Sequence, residues 1–239
     1  HLHPWVTPPF EEEVNGFNSF PGNLPEDLEY RKLSVLRDEI GRVFGDAPTV
    51  YKAGRYGVGR NTVRVLERLD MTIDLSVTPG FDYSGAGGPD FSRHSNRPFR
   101  YGEQLRSLGL PCTGGVVGFL GDAAAPAYSV CSSTLGQRLR VPGILARLGA
   151  AERLRLSPEG YSLAEMIRAT EHLLRRSATR VLTLSFHSPS VRAGCTPYVR
   201  NQRDLDAFLG TVADFIDYFI AEHHGVPMTP EAVMQQVSA

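Results

Sequence analysis

Four segments of the chain carry apolar residues at the three- and four-residue spacing of an amphipathic α-helix. They are residues 25–45, 61–69, 162–174 and 204–222. Gly45 is a suitable stop for the first helix, and Ser162 with Glu165 makes a capping box in front of the third. The pattern predicts four helices, two of them with a recognisable end.

Short β-prone runs stand between these helices. The sequence PTVYKA at residues 48–53, the run at residues 71–77 and the sequence RVLTLSF at residues 180–186 are predicted strands. Strands that alternate with helices are typical of parallel βαβ units, whose functional residues gather at the carboxyl ends of the strands. The predicted fold class is therefore α/β, with a sheet or a barrel. Residues 78–102 are too long for a simple connection and are a candidate functional loop.

The composition fits a single globular domain that covers residues 1–239. With 41% hydrophobic and 21% charged residues, the chain falls outside the disordered and low-complexity classes. A formal net charge of -1 and scattered arginines disfavour a nucleic-acid partner. No apolar run approaches the roughly 18 to 20 residues that a membrane span needs. Cys112, Cys131 and Cys195 are too few and too irregularly spaced for a disulfide framework, which slightly favours a cytoplasmic location.

Three histidines stand where strand ends are expected. His1 and His3 in HLHPW are two residues apart, so both imidazoles point to one side of an extended segment and could face one metal ion. His187 directly follows the apolar run LTLSF, at the mouth of an α/β fold. The alternatives are a solvent-exposed histidine pair and a histidine that caps a loop carbonyl.

Further polar residues follow the first two predicted strands. Lys52, Arg55 and Tyr56 in YKAGRYGVG form a cationic, glycine-flanked turn that could hold a carboxylate or offer backbone N–H groups to an oxyanion. Asp74 and Asp82 place carboxylates at and after the end of the next strand, where they could orient a histidine or cap a turn. The chain contains neither a complete P-loop nor a GxSxG nucleophile motif.

Read in order, HLHPW, YKAGRYG, TIDLSV and LTLSFHSPS resemble motifs of the polysaccharide deacetylases with NodB homology, carbohydrate esterase family 4. The stretches HLHPWVTPPFEEE, GPDFS and LSFHSPS followed by PYVR look most like its WalW-like branch, named for a lipopolysaccharide biosynthesis protein. The resemblance implies an irregular (β/α) barrel with a divalent metal, usually zinc, held by an aspartate and two histidines. A first strand ending in an aspartate pair is then expected before His1, so the chain is expected to be N-terminally incomplete.

The resemblance assigns the metal ligands only in part. His1 matches the first motif histidine, whereas Trp5 stands where the family has its second, so His3 is the substitute candidate. Trp5 and Asp82 are taken as candidates for substrate binding.

The catalytic residues follow from the same likeness. Either Lys52 or Arg55 fills the arginine motif that supports the base, and Tyr56 would supply the backbone N–H of the oxyanion hole. Asp74 resembles the aspartate that tunes the catalytic histidine, and His187 resembles that histidine, the general acid.

The activity implied is metal-dependent hydrolysis of N- or O-linked acetyl groups on a polysaccharide or lipopolysaccharide precursor. The partner is then an acetylated sugar, with no nucleic acid and no membrane span. Two alternatives are an inactive carbohydrate-binding or scaffold domain of the same fold, favoured by Trp5 in place of a histidine, and a metal-free amide hydrolase of that fold.

Overall fold

A computed structural model describes residues 1–121, 128, 138 and 140–238. The backbone packs as two compact units, His1–Pro111 with Pro230–Ala239 and Cys112–Thr229. The prediction of a single domain stays a prediction. Within the described ranges, no helix has the length and apolar character to cross a membrane.

The first unit is built on a four-stranded sheet with helices beside it. Its helices are α1 (Glu26–Phe44), α2 (Thr62–Arg68) and the C-terminal α6 (Pro230–Ser238), and its strands are β1 (Val50–Tyr51), β2 (Ile73–Asp74), β3 (Phe99–Tyr101) and β4 (Ser107–Gly109). The strand order is β1-β2-β4-β3. β1, β2 and β4 are parallel, and β3 is antiparallel to β4. The β1-α2-β2 passage therefore confirms the local prediction of a parallel βαβ unit.

β1 and β2 are shorter than the sequence predicts. Their ladder ends because side chains take over the backbone hydrogen bonds: the Ala53 N–H donates to Ser76 Oγ at 2.8 Å. Alongside β1, Leu2 forms a parallel bridge with Ala53, and its carbonyl accepts from the Gly54 N–H at 2.8 Å. A Cβ atom at Gly54 would lie 2.3 Å from that carbonyl oxygen, so only glycine permits this approach.

The second unit combines a two-stranded antiparallel sheet with three described helices. They are β5 (Gly114–Val117), β6 (Glu152–Arg155), α3 (Val141–Arg147), α4 (Leu163–Arg176) and α5 (Gln202–His223). The core joins Leu156 to Met166 of α4 and Phe215 of α5. The capping box of Ser162 and Glu165 is present as predicted.

All four predicted helices are confirmed, with every end within two residues of the prediction. The predicted strand at residues 180–186 is wrong. That segment has no assigned strand. The Thr183 N–H donates to the Thr113 hydroxyl at 2.7 Å, and the Ser185 N–H to the Leu156 carbonyl at 3.2 Å. Mixed side-chain and backbone partners replace a regular ladder. The described strands form one four-stranded and one two-stranded sheet. The closed barrel stays a prediction.

Candidate functional site

The carboxyl edge of the parallel strands in the first unit gathers most of the predicted site residues. His3 follows Leu2 beside β1, Lys52 directly follows β1, and Asp74 ends β2. This is the placement that parallel strands predict, because their carboxyl ends meet at one edge of the sheet.

A ring cluster, consisting of His1, His3 and Trp5, lies at this edge. The ring centroids of His1 and His3 are 4.3 Å apart, and those of His3 and Trp5 are 4.5 Å apart. Trp5 belongs to a short 3-10 helix, Pro4–Val6, and is 39% exposed. The predicted pairing of His1 with His3 is therefore present, with an aromatic surface open beside it.

Lys52 and Arg55, the two candidates for the arginine motif, contact different groups around the turn Gly54–Tyr56. Arg55 packs its guanidinium over Phe20, 4.2 Å from the ring centroid, and also donates to Ser19 Oγ. Lys52 instead lies over the Tyr56 ring at 4.8 Å, and its charge acts on Asp74. Of the two, Lys52 is the cation that interacts with a carboxylate of the site.

The backbone of this turn adopts a conformation uncommon for residues with side chains. Arg55 and Tyr56 have φ values of 54° and 60°, in the left-handed region. The Tyr56 N–H donates to the Ala53 carbonyl at 3.1 Å and closes the turn. The Tyr56 N–H is thus engaged within the turn, and its role as an oxyanion donor stays a prediction.

Asp74 is a buried carboxyl that is held by Ser76. Its Oδ1 accepts from the Ser76 N–H at 2.9 Å and also from the Ser76 hydroxyl. Burial raises the pKa of Asp74 to about 6, against the opposing effects of the Ser76 hydrogen bonds and the Lys52 charge. Asp82, in contrast, is exposed and accepts from the Ser84 N–H at 2.8 Å, as a turn-capping aspartate does.

His187 belongs to the second unit, where a buried carboxylate holds it. Its Nδ1 lies 2.7 Å from Glu159 Oε2, and its backbone N–H donates to Glu159 Oε1 at 3.0 Å. The buried Ser190 also donates to Oε1. The side chain of Glu159 is 6% exposed, whereas that of His187 is 54% exposed. A fixed carboxylate thus anchors one ring nitrogen of a histidine whose ring remains accessible to solvent.

Glu159, which the sequence did not single out, is the carboxylate on His187 Nδ1. That Asp74 tunes this histidine stays a prediction. Glu159 stands in LSPEG, shortly after β6, so it carries the same signal of a carboxylate after a strand that singled out Asp74. Sequence reasoning missed it because it did not recognise β6.

The metal site that the resemblance implies is incomplete in the described residues. A catalytic zinc site needs three protein ligands. His1 and His3 supply two imidazoles, and the described part of the chain contains no group of three His, Cys, Asp or Glu side chains placed to hold a metal ion. The donors present therefore do not make a full catalytic site on their own. Cys112 is buried and Cys195 exposed, while Cys131 lies outside the described residues.

Comparison with known proteins adds no relative. No protein-family model matches the chain, and no curated protein or solved structure is significantly similar to it.

Proposed function

We propose that this chain is a hydrolase that removes N- or O-linked acetyl groups from a polysaccharide or lipopolysaccharide precursor, with His187 as the general acid. The observation that carries the proposal is the pairing of the half-exposed His187 ring with the buried Glu159 carboxylate. A carboxylate that accepts from Nδ1 fixes the ring tautomer and leaves Nε2 to exchange a proton with a substrate. This arrangement suits a histidine that acts as a general acid.

The reaction follows from that arrangement. Water gives up a proton to the solvent as its oxygen adds to the acetyl carbonyl, and the bond between the carbonyl carbon and the sugar nitrogen or oxygen then breaks. The leaving amine or alkoxide takes its proton from Nε2 of His187, while Glu159 stabilises the ring in its charged form before transfer. Ser190 and the His187 backbone N–H keep the Glu159 carboxylate in place during the transfer. The products are acetate and the deacetylated sugar.

The divalent metal, zinc by resemblance, is part of the same proposal. His1 and His3 are the ligands proposed for it, and Trp5 is proposed to bind the sugar. A bound metal would supply an activated water at neutral pH. The resemblance to the deacetylases supports this part, and so does the contact between the two imidazoles.

Acetate release from acetylated sugars, with and without His187, tests the proposal. His187→Ala is expected to slow release by roughly 100-fold to 10,000-fold, the usual loss when a general acid is removed. Its metal content, measured by elemental analysis, should equal that of the unchanged protein. The control is His224→Asn, since His224 is an exposed histidine at the end of α5 and asparagine tolerates its φ of 51°.

Three outcomes would contradict the proposal in different ways. Near-normal release by His187→Ala removes this histidine from the mechanism. No release by the unchanged chain from N- or O-acetylated sugars favours the carbohydrate-binding alternative. Release that withstands a chelator favours the metal-free hydrolase.

A further inference from the structure

Lys32 lies on the buried face of α1, where the helical pattern would place an apolar side chain. Its neighbours on this face, Leu28 and Leu33, are buried, and Lys32 itself is 0% exposed. An ammonium group is stable in a protein interior only where oxygen atoms replace its lost water. The partners of Lys32 therefore show what this residue holds in place.

All three oxygen partners of Lys32 come from one short segment, residues 4–12. Nζ donates to the Thr7 carbonyl at 2.7 Å and to the Pro4 carbonyl at 3.1 Å. Glu12 Oε1 lies 2.9 Å away, in an ion pair whose carboxylate side chain is 5% exposed. The Phe10 ring covers the ammonium at 5.3 Å. Two carbonyls thus accept hydrogen bonds from the ammonium and a buried carboxylate balances its charge, so this segment surrounds the ammonium with oxygen atoms.

The two carbonyls that Lys32 holds flank Trp5. On the other side of the ring cluster, Leu2 is fixed separately by its bridge to Ala53. His3 therefore lies between two anchored points of the backbone, and its ring contacts that of Trp5 at 4.5 Å. Loss of the Lys32 anchor would release the Trp5 side of the cluster while the Leu2 side stayed attached to β1.

We propose that Lys32 is a positioning residue for the ring cluster. By holding the carbonyls of Pro4 and Thr7, it sets the direction from which Trp5 packs on His3. This positioning role of Lys32 can hold whatever the protein's activity is. Only the purpose of the ring orientation, to present the histidines to a metal and Trp5 to a sugar, rests on the proposed function.

Trp5 supplies the readout, because it is the only tryptophan in the chain. Replacing Lys32 alone would leave Glu12 as an uncompensated buried charge, so the test variant is K32M/E12Q in the whole chain. The matched control is R42M/E39Q. This pair also lies on α1, but its side chains are 70% and 57% exposed and neither belongs to residues 4–12.

The measurement is acrylamide quenching of Trp5 fluorescence, with circular dichroism to verify the fold. Trp5 is 39% exposed, so its release in K32M/E12Q should raise the quenching constant about twofold, while R42M/E39Q leaves it unchanged. Unchanged quenching in a folded K32M/E12Q overturns the proposal. If that variant does not fold, K32R serves instead: it keeps the charge but not the fit to three oxygens, and unchanged quenching in folded K32R likewise overturns it.

Acetate release separates this inference from the proposed function. A chain without deacetylase activity whose Trp5 is released in the test variant refutes the proposed function and leaves the role of Lys32 intact. Normal deacetylation together with unchanged Trp5 quenching refutes the role of Lys32 alone.

Discussion

Glu29 is a fully buried carboxylic acid on α1, and its ionisation opposes folding. Its Oε1 accepts from the Thr62 hydroxyl at 2.6 Å, while Oε2 has no hydrogen-bond donor within the described part of the chain. Burial raises the pKa of Glu29 to about 7, and the single hydrogen bond from Thr62 offsets only part of this. Between about pH 4.5 and 7 the folded protein therefore holds a proton that the unfolded chain releases.

The expected consequence is a loss of stability as pH rises. Because the folded pKa of Glu29 lies above its unfolded value, the free energy of unfolding is unaffected by this group below about pH 4.5 and falls as pH rises through about 7, by about 3 kcal/mol in total. Glu29→Gln removes the titration. Urea denaturation of both proteins should show a difference that widens with pH in favour of the glutamine variant, and a difference independent of pH would contradict this account.

At the scale of elements, α4 shows how local chemistry fixes a boundary near the proposed site. Ser162 Oγ accepts from the Glu165 N–H at 3.3 Å, and the Ser162 N–H donates to Glu165 Oε2 at 2.7 Å. The helix therefore begins directly after the turn that carries Glu159.

Removing this cap should weaken the second unit by a known amount. Ser162→Ala is expected to lower the free energy of unfolding by about 1 kcal/mol, the usual cost of losing an N-cap. Thr211→Ala in α5 is the control, because its hydroxyl donates only to the Ala207 carbonyl one turn earlier, at 2.9 Å. Equal effects of the two substitutions in urea denaturation would show that the cap does not stabilise α4.

The helices could be predicted because their signals are local. The apolar period of α1 and its stop at Gly45, with φ of 97°, lie within one stretch of sequence. The segment at residues 180–186 has the composition of a strand, yet Thr183 donates to a Thr113 hydroxyl 70 residues away. Its pairing is decided by a distant side chain that no periodicity reveals. The same holds for Ser76, which ends the ladder after β1.

At the scale of the whole molecule, the sequence predicted which residues lie at strand ends better than it predicted which residues they contact. The contact of His1 with His3 and the location of Asp74 beside Lys52 agree with it. The sequence did not predict the partner of His187, because Glu159 is 28 residues earlier and follows a strand that the pattern did not reveal. Lys32 was missed for a related reason: a lysine on an apolar face has meaning only once its oxygen partners are known.

The central claim is that Glu159 holds His187 with its proton on Nδ1, so that Nε2 serves the substrate. Nitrogen-15 chemical shifts of the His187 ring, measured by NMR in the whole chain at a pH where the ring is neutral, test this most directly. The account predicts the tautomer protonated on Nδ1 in the unchanged protein and its loss as the dominant form in Glu159→Gln. A neutral ring protonated on Nε2, or a tautomer that is indifferent to Glu159→Gln, would contradict it.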